Sequence, residues 1–516
     1  MTATSEQKML LNSAKALGDQ SLRQIGLYLD SANVARAKLA EQPTDSLAQS
    51  DYNFAVARIV EIIGKKDLEP WGTPLACPSG NEAQWTLSLT PPDPRPEYHP
   101  SNFEIFPTDR YDFKGTLVGE RSVRAGLGAP VVVQGKDLDF TKFDQFAQGD
   151  RVFYGMTALI RFDGTACELV LADPLQVADA TLDDNQYRLA TDFQAPLALA
   201  LAELNPRKSE LQKMFKPGEF VDTARLARLQ PYDPEKIPVL FIHGLSNSPA
   251  TWAPMIDHLR NNDEIRMKYQ FWSFSYPTGL PYPIPAASLR TQLDQIKERY
   301  PDHKDIVIVG HSMGGMISRL LITDSGMQLW DASFDRPPDQ MGLSETTRDL
   351  FSEALIFDSR TDVSRVIYCS ASHRGSDDAI SRMGKLGAKL IGDPLSRPDI
   401  TEEALGAVNS GSAARKRNRI PNSIDLLDPD SPFLKLVDTF PPEPGIPYHS
   451  IIGDRGKGGN LDRTEPVSSD GIVPYWSSHL DGAESEIVIP SEHWTILHQQ
   501  GMDEVKRILV QHAAGL

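Results

Sequence analysis

Gly310-His311-Ser312-Met313-Gly314 places a potential nucleophile between two glycines at the spacing Gly-x-Ser-x-Gly. A serine hydroxyl attacks a carbonyl usefully only when a base takes its proton and donors receive the resulting oxyanion. Upstream, Asp305-Ile306-Val307-Ile308-Val309 is apolar and β-branched, which reads as a buried strand. Downstream, Met316, Ile317, Leu320 and Leu321 fall at helical spacing. A strand turning this sharply into a helix has room for little side chain at the flanking positions, which accounts for Gly310 and Gly314. Ser312 would then sit at a strained tip near a helix N-terminus, where developing negative charge is favoured.

A serine nucleophile requires three further parts. Phe241-Ile242-His243-Gly244-Leu245 ends an upstream apolar run, and a glycine there lets the chain turn so that the next amide faces an oxyanion. The predicted donors are the backbone N–H groups of Leu245 and Met313, each worth about 3 kcal/mol in a transition state. The preferred base is His493, in the loop between the last strand candidate (Glu486 to Ile489) and a terminal amphipathic helix carrying Val505, Ile508 and Leu509. His498 is the runner-up, while His311 and His373 are better explained as structural. For the carboxylate that orients the imidazole, two candidates follow the His449 to Ile452 run, Asp454 and Asp470. Asp470 opens a turn leading into apolar Ile472-Val473-Pro474 and is preferred, whereas Asp454 leads into the glycine-rich Arg455–Gly459. The order Ser312, Asp470, His493 suits this assignment. His243, Gly244, Tyr276 and Trp330 are weaker candidates for substrate contacts.

The elements that position these groups alternate. Ile237 to Ile242, Phe271 to Phe274, Ile306 to Val309, Val366 to Cys369, His449 to Ile452 and Glu486 to Ile489 read as strands, with a helix from Ala286 to Tyr300 among the connections. That alternation predicts an α/β fold with a mostly parallel sheet, whose sites lie at the strands' carboxyl ends. Ahead of it the character differs. Leu22, Ile25, Leu29 and Ala32 form one helical stripe and Tyr52, Val56, Ile59 and Ile63 another, separated by Gln42-Pro43-Thr44-Asp45. Short β-type runs and proline clusters follow, including a hairpin predicted around Asp163-Gly164. The resulting organisation is a helical hairpin region over 1–66, a β-rich accessory domain and linker over 67–230, and the α/β domain over 231–516.

At 516 residues the chain exceeds one ordinary core. Its net charge of -18 argues against nucleic acid and against electrostatic docking on anionic membranes. No apolar run approaches the roughly 20 residues that span a bilayer, and the first residues carry no signal core, so the protein stays inside the cell or has lost a leader. Cys77, Cys167 and Cys369 form no metal-ligand pattern; Cys77 and Cys167 would pair only in an oxidising compartment, and free buried thiols are the simpler reading.

Phe241–Leu245 with Ser248-Pro249-Ala250-Thr251-Trp252, Gly310–Gly315 and Asp470–Pro474 together resemble the α/β-hydrolase superfamily, in its lipase and esterase branch, from about Ile237 to the C-terminus. His373-Arg374-Gly375-Ser376 resembles that branch's Thr-Pro-His-Arg-Gly-Ser, with Ala371-Ser372 in place of Thr-Pro. Including Gly126-Leu127-Gly128-Ala129-Pro130 and Leu229-Gln230-Pro231-Tyr232, the whole chain is similar to large bacterial hydrolases commonly predicted to be exported or lipid-anchored. The resemblance implies an α/β-hydrolase fold, an envelope-associated protein with its leader removed, and a cap insertion at about 323–362 containing Met327, Leu329, Trp330, Phe334 and Met341. The Tyr276–Pro283 loop would add a second apolar surface; an apolar cap favours acyl or aromatic esters, and the same residues would equally serve to pack the cap onto the body.

The activity expected is hydrolysis of a small-molecule or lipid carboxylic ester through a Ser312-His493-Asp470 triad and an acyl-enzyme, with no cofactor and no metal. Calcium, found near the acid loop of some bacterial lipases, is not carried over because no matching paired aspartates occur. The same residues would serve an acyltransferase, thioesterase or amidase, and a non-catalytic binder on a hydrolase scaffold is the reading from another class.

Overall fold

Runs such as Ile237–Ile242 and Ile306–His311 have no polar alternation, so they are stable only where both faces of a sheet are covered. The computed structural model shows that arrangement. It describes residues 3–16, 21–80, 83–112, 121, 123–136, 139–147, 152–204, 214, 216–377, 394–409, 414–415, 418–456 and 469–515. The chain divides into two compact units, one of Met1–Leu204 with Arg260–Met267 and one of Asn205–Leu259 with Lys268–Leu516.

In the first unit, helices α1 (Ala3–Ala16), α2 (Ser21–Glu41) and α3 (Ser46–Lys65) precede a six-stranded sheet. Its strands are β1 (Leu75–Pro78), β2 (Gln84–Leu89), β3 (Phe103–Pro107), β4 (Ala129–Gly135), β5 (Phe153–Asp163) and β6 (Ala166–Ala172), in the order β1-β2-β6-β5-β4-β3. Asp45 caps α3, its carboxylate accepting the amides of Leu47 and Ala48. The apolar stripes of α2 and α3 share one core with the sheet, Ile25, Leu29, Val56 and Ile59 meeting Leu87, Val131 and Leu169. Tyr52 reaches across this core: its hydroxyl donates to the Ile160 carbonyl (2.8 Å) and accepts the Ile160 amide (2.9 Å). Asn53 pairs with the Gly126 carbonyl and the Gly128 amide, bracketing the turn into β4, where Gly128 has φ 97°. The β5–β6 hairpin turns through Gly164-Thr165, because Asp163 itself pairs with Ala166, one residue later than the sequence indicates. Helix α4 (Gln194–Leu204) closes the unit.

The second unit is built on a seven-stranded sheet. Its strands are β7 (Arg225–Arg228), β8 (Ile237–Ile242), β9 (Tyr269–Ser275), β10 (Ile306–His311), β11 (Val363–Cys369), β12 (Tyr448–Gly453) and β13 (Ser485–Ile489). The order is β7-β9-β8-β10-β11-β12-β13, with β7 antiparallel and every other pairing parallel. All six sequence-predicted strands are present. The seventh, β7, lies in what the sequence presents as a linker; as an antiparallel edge strand it lacks the long apolar run of its neighbours.

Helices α5 (Ala253–Arg260) and α6 (Asp263–Lys268) lie between β8 and β9 in sequence, and α7 (Pro283–Arg299) between β9 and β10. Helix α8 (Met313–Arg319) follows β10 directly, and α9 (Gln328–Ser333) and α10 (Glu345–Leu355) precede β11. A second insertion, between β11 and β12, carries α11 (Pro398–Ala407), α12 (Ser423–Leu426) and α13 (Pro432–Asp438). After β12 come α14 (Tyr475–Ser478) and, beyond β13, α15 (Gln499–Ala514). Among the described residues, no helix is long and apolar enough to cross a membrane.

Candidate active site

Five parallel strands deliver residues to one place. Leu245 and Ser246 follow β8, Ser312 follows β10, Ser372 and Ser376 follow β11, Ile472 and Val473 come after β12, and His493 and Trp494 follow β13. With Asn247 and Leu427, they line a cavity of about 190 Å³. This is where a parallel sheet is expected to hold its site, since the strands' carboxyl ends and the loops that follow them share one side.

Ser312 stands between β10 and α8 with φ 55° and ψ -122°, a conformation that costs an L-residue of order 1–3 kcal/mol. Its backbone is held on both sides. The Ser312 amide donates to the Cys369 carbonyl (3.0 Å), and the Ser312 carbonyl accepts the Gly315 amide (2.9 Å). A Cβ at Gly314 would meet the Ile242 carbonyl oxygen at 2.2 Å, so only glycine lets the elbow lie this close to the end of β8.

The two residues predicted to supply the amides lie close to Ser312. A Cβ built at Gly244 would come 2.8 Å from the Ser312 Cβ, which puts the chain entering Leu245 directly against the serine. Met313 is the first residue of α8, where backbone N–H groups have no partner within the helix. Among the described residues, neither the Leu245 nor the Met313 amide donates to a protein acceptor.

His493 and Asp470 meet although Gly471–Glu492 intervene in the sequence. The imidazole Nδ1 lies 2.8 Å from Asp470 Oδ2. An ionised carboxylate only accepts, so Nδ1 carries the hydrogen and the neutral ring presents Nε2 as a lone pair. The other carboxylate oxygen accepts the amides of Ile472 (2.8 Å) and Val473 (2.6 Å). Burial pushes the Asp470 pKa up, but the His493 ring and these two amides outweigh it and hold the carboxyl below its usual range. Ser376 braces the same turn, donating its hydroxyl to the Ile472 carbonyl and its amide to the Leu427 carbonyl.

Asp454 is also buried, but its carboxylate accepts the Gly456 amide and makes no contact with His493. Residues 457–459 of the glycine-rich run after it lie outside the described residues. His311 donates Nε2–H to the His493 carbonyl (2.9 Å) and so ties the elbow to the loop that carries His493. Burial, then the neighbouring His493 ring, lowers the His311 pKa to about 3, which keeps it neutral and out of proton transfer at ordinary pH. His373 is fully buried edge-on to Tyr368, and His498 caps α15; neither lines the cavity.

The weaker candidates occupy supporting positions. Tyr276 is buried, stacks on His243 with ring centres 4.4 Å apart, and donates to the His243 carbonyl (2.6 Å). The pair stiffens the end of β8 beneath the Leu245 turn without lining the cavity. Trp330 is buried on α9, with its indole N–H bound to the Arg336 carbonyl (2.7 Å). Trp494, not singled out from the sequence, lines the cavity and remains 39 % exposed while stacking over His311. Leu427 was equally invisible, because it comes from the insertion between β11 and β12 and no motif marks it. Among the described residues, no cluster of three or more His, Cys, Asp or Glu side chains could hold a metal ion.

Residues 239–498 match the model of the alpha/beta hydrolase family, which is half of the chain, and the protein belongs to that family. Its fold is accordingly the α/β-hydrolase fold, carrying a helical and β-rich N-terminal region. No curated protein matches the sequence. Among solved structures, the mature form of a Bacillus licheniformis lipase is 17% identical, with a TM-score of 0.34 over 55% of this chain and 97% of that one. A thermostable carboxyl esterase from Bacillus coagulans is 17% identical, with a TM-score of 0.30 over 57% and 94%. A monoacylglycerol lipase from Paleococcus ferrophilus is 14% identical, with a TM-score of 0.31 over 57% and 98%.

Proposed function

We propose that the protein hydrolyses carboxylic esters by acyl transfer through Ser312 to water, with the chemistry in residues 231–516 and an accessory role for residues 1–230. The observation that carries this reading is the fixed His493 ring. Asp470 holds its Nδ1–H, and its remaining nitrogen belongs to a residue lining the same cavity as Ser312 and Leu245. In the first step Nε2 takes the Ser312 proton while Oγ bonds to the ester carbonyl carbon, whose π electrons move to oxygen. The Leu245 and Met313 amides receive that oxyanion. The intermediate collapses, the bond to the alcohol oxygen breaks, and His493 returns the proton to the leaving alkoxide. Water, deprotonated by His493, then attacks the acyl-enzyme and releases acid and free Ser312. Asp470 stabilises the imidazolium in both halves and fixes the tautomer.

Hydrolysis of p-nitrophenyl acetate by the intact chain and by Ser312→Ala tests this reading, alongside stoichiometric labelling by a fluorophosphonate. The expected loss in kcat is on the order of 10⁶-fold, with no label on the variant. Equal turnover by both proteins would remove Ser312 from the mechanism.

A further inference from the structure

Two cavities are lined by consecutive residues of one stretch of chain. The first, at Ser312, has a volume of about 190 Å³, below the roughly 300–1,000 Å³ of sites that enclose drug-sized ligands. The second measures about 400 Å³ and is walled by Pro281, Ile284, Phe334, Phe351, Leu426 and Phe433, among others. Leu426 ends α12 and lines the larger cavity; Leu427, the next residue, lines the smaller. Leu427 is 4 % exposed and its carbonyl accepts the Ser376 amide, so the partition is clamped to the loop that also braces Asp470.

The lining chemistry defines what each space can take. Among the described residues, no Lys, Arg, Asp or Glu lines either cavity, so these walls offer a free carboxylate no counter-ion and favour a neutral occupant. His493 must protonate the leaving alcohol, so the alcohol leaves on the His493 side, where its neighbour Trp494 is, with Ser246, one of the two exposed residues of the described wall. The acyl group that stays bound to Ser312 then takes the buried wall formed by Leu427.

We propose that Leu427 limits the acyl group to a few carbons, making the protein selective for esters of short neutral acids, and that the 400 Å³ cavity is the space its side chain closes off. This rests on Ser312 being the esterolytic nucleophile. A pocket wall rejects an extra methylene by about 10-fold or more in kcat/KM, so the limit should appear as a steep fall along an acyl series.

The test is kcat/KM for p-nitrophenyl esters from C2 to C12, and for acetate esters of a matching alcohol series. The proteins compared are the wild type, Leu427→Ala, Leu427→Val, Ala354→Phe and the double variant Leu427→Ala/Ala354→Phe. Ala354 lines the larger cavity only. The wild type should favour C2–C4 acyl groups and be indifferent to alcohol length. The ratio of C8 to C2 activity should rise at least about 10-fold in Leu427→Ala and less in Leu427→Val. Ala354→Phe should leave the wild-type profile unchanged yet cancel the gain in the double variant. A wild type that prefers C8–C12 acyl groups, a limit that follows the alcohol, or an unchanged ratio in both folded Leu427 variants would overturn the proposal. If no ester is turned over and Ser312 takes no fluorophosphonate label, the nucleophile reading fails and the proposal goes with it. A labelled Ser312 with a flat acyl profile sinks the proposal alone.

Discussion

The two units bury polar groups to opposite ends. In the first unit, the described ones are mostly consumed by structure: Tyr52 by the Ile160 peptide, Asn53 by Gly126 and Gly128, the Tyr187 hydroxyl by the Leu39 carbonyl. Around the sheet β7–β13, several converge on a cavity from five strand ends, and among the described residues the His493 ring is held at one nitrogen. A polar group paired with backbone rigidifies a core, whereas one aimed at open space retains capacity for chemistry. The parallel sheet makes the second arrangement easy, because the carboxyl ends of its strands all face one side.

The comparison can be broken most sharply at Asp470. Replacing it with Asn keeps the shape but removes the charge and favours the wrong His493 tautomer, so kcat should fall by about 10⁴-fold with the fold intact by circular dichroism. The same variant should change acid stability. The Asp470 carboxyl binds protons less readily folded than unfolded, so it favours the folded state above the ordinary aspartate value of about 3.9. That benefit disappears as pH falls through the depressed folded value. Thermal melts of Asp470→Asn should therefore lose less stability than the wild type as the pH is lowered from about 5 to 3.

A smaller effect is expected in the other unit. Ile59→Ala, in the fully buried stripe of α3, should cost about 2–5 kcal/mol in denaturant unfolding of the first unit and leave ester kcat/KM unchanged. The smallest is Tyr52→Phe, which strands both backbone groups of Ile160 and should cost about 1–3 kcal/mol, again without touching turnover. A turnover loss in either variant, at a temperature where both remain folded, would show that the first unit contributes to catalysis.

Much of this architecture is legible in residue order. Continuous apolar runs announce strands buried on both faces, and Gly310-x-Ser312-x-Gly314 between strand and helix announces a sharp turn. Asp470 stood out from Asp454 by the apolar Ile472-Val473 after it, and those two residues supply the amides that bind its carboxylate. Strand β7 was not legible, since an edge strand of four residues with arginine at both ends has no distinctive period. Leu427 and Trp494 were not legible either. A cavity wall is defined by what lies opposite it in space, and a leucine just after a four-residue helix in an insertion looks like any core leucine. His311 reads as structural from its place beside the elbow, but its bond to the His493 carbonyl joins residues far apart in the chain, and spacing carries no sign of it.

The three cysteines have a practical consequence. Cys77 and Cys167 sit on β1 and β6 with β2 between them, too far apart across an intervening strand to be bridged in place. Each of the three is buried, and burial drives their thiols up, those of Cys77 and Cys167 to about 12. Thiolate is the reactive form, so the native fold is silent toward alkylating dyes. Met327→Cys, at an exposed position between α8 and α9, would then supply the one thiol that takes a fluorophore, making that connection observable in solution without first stripping the protein of its own cysteines.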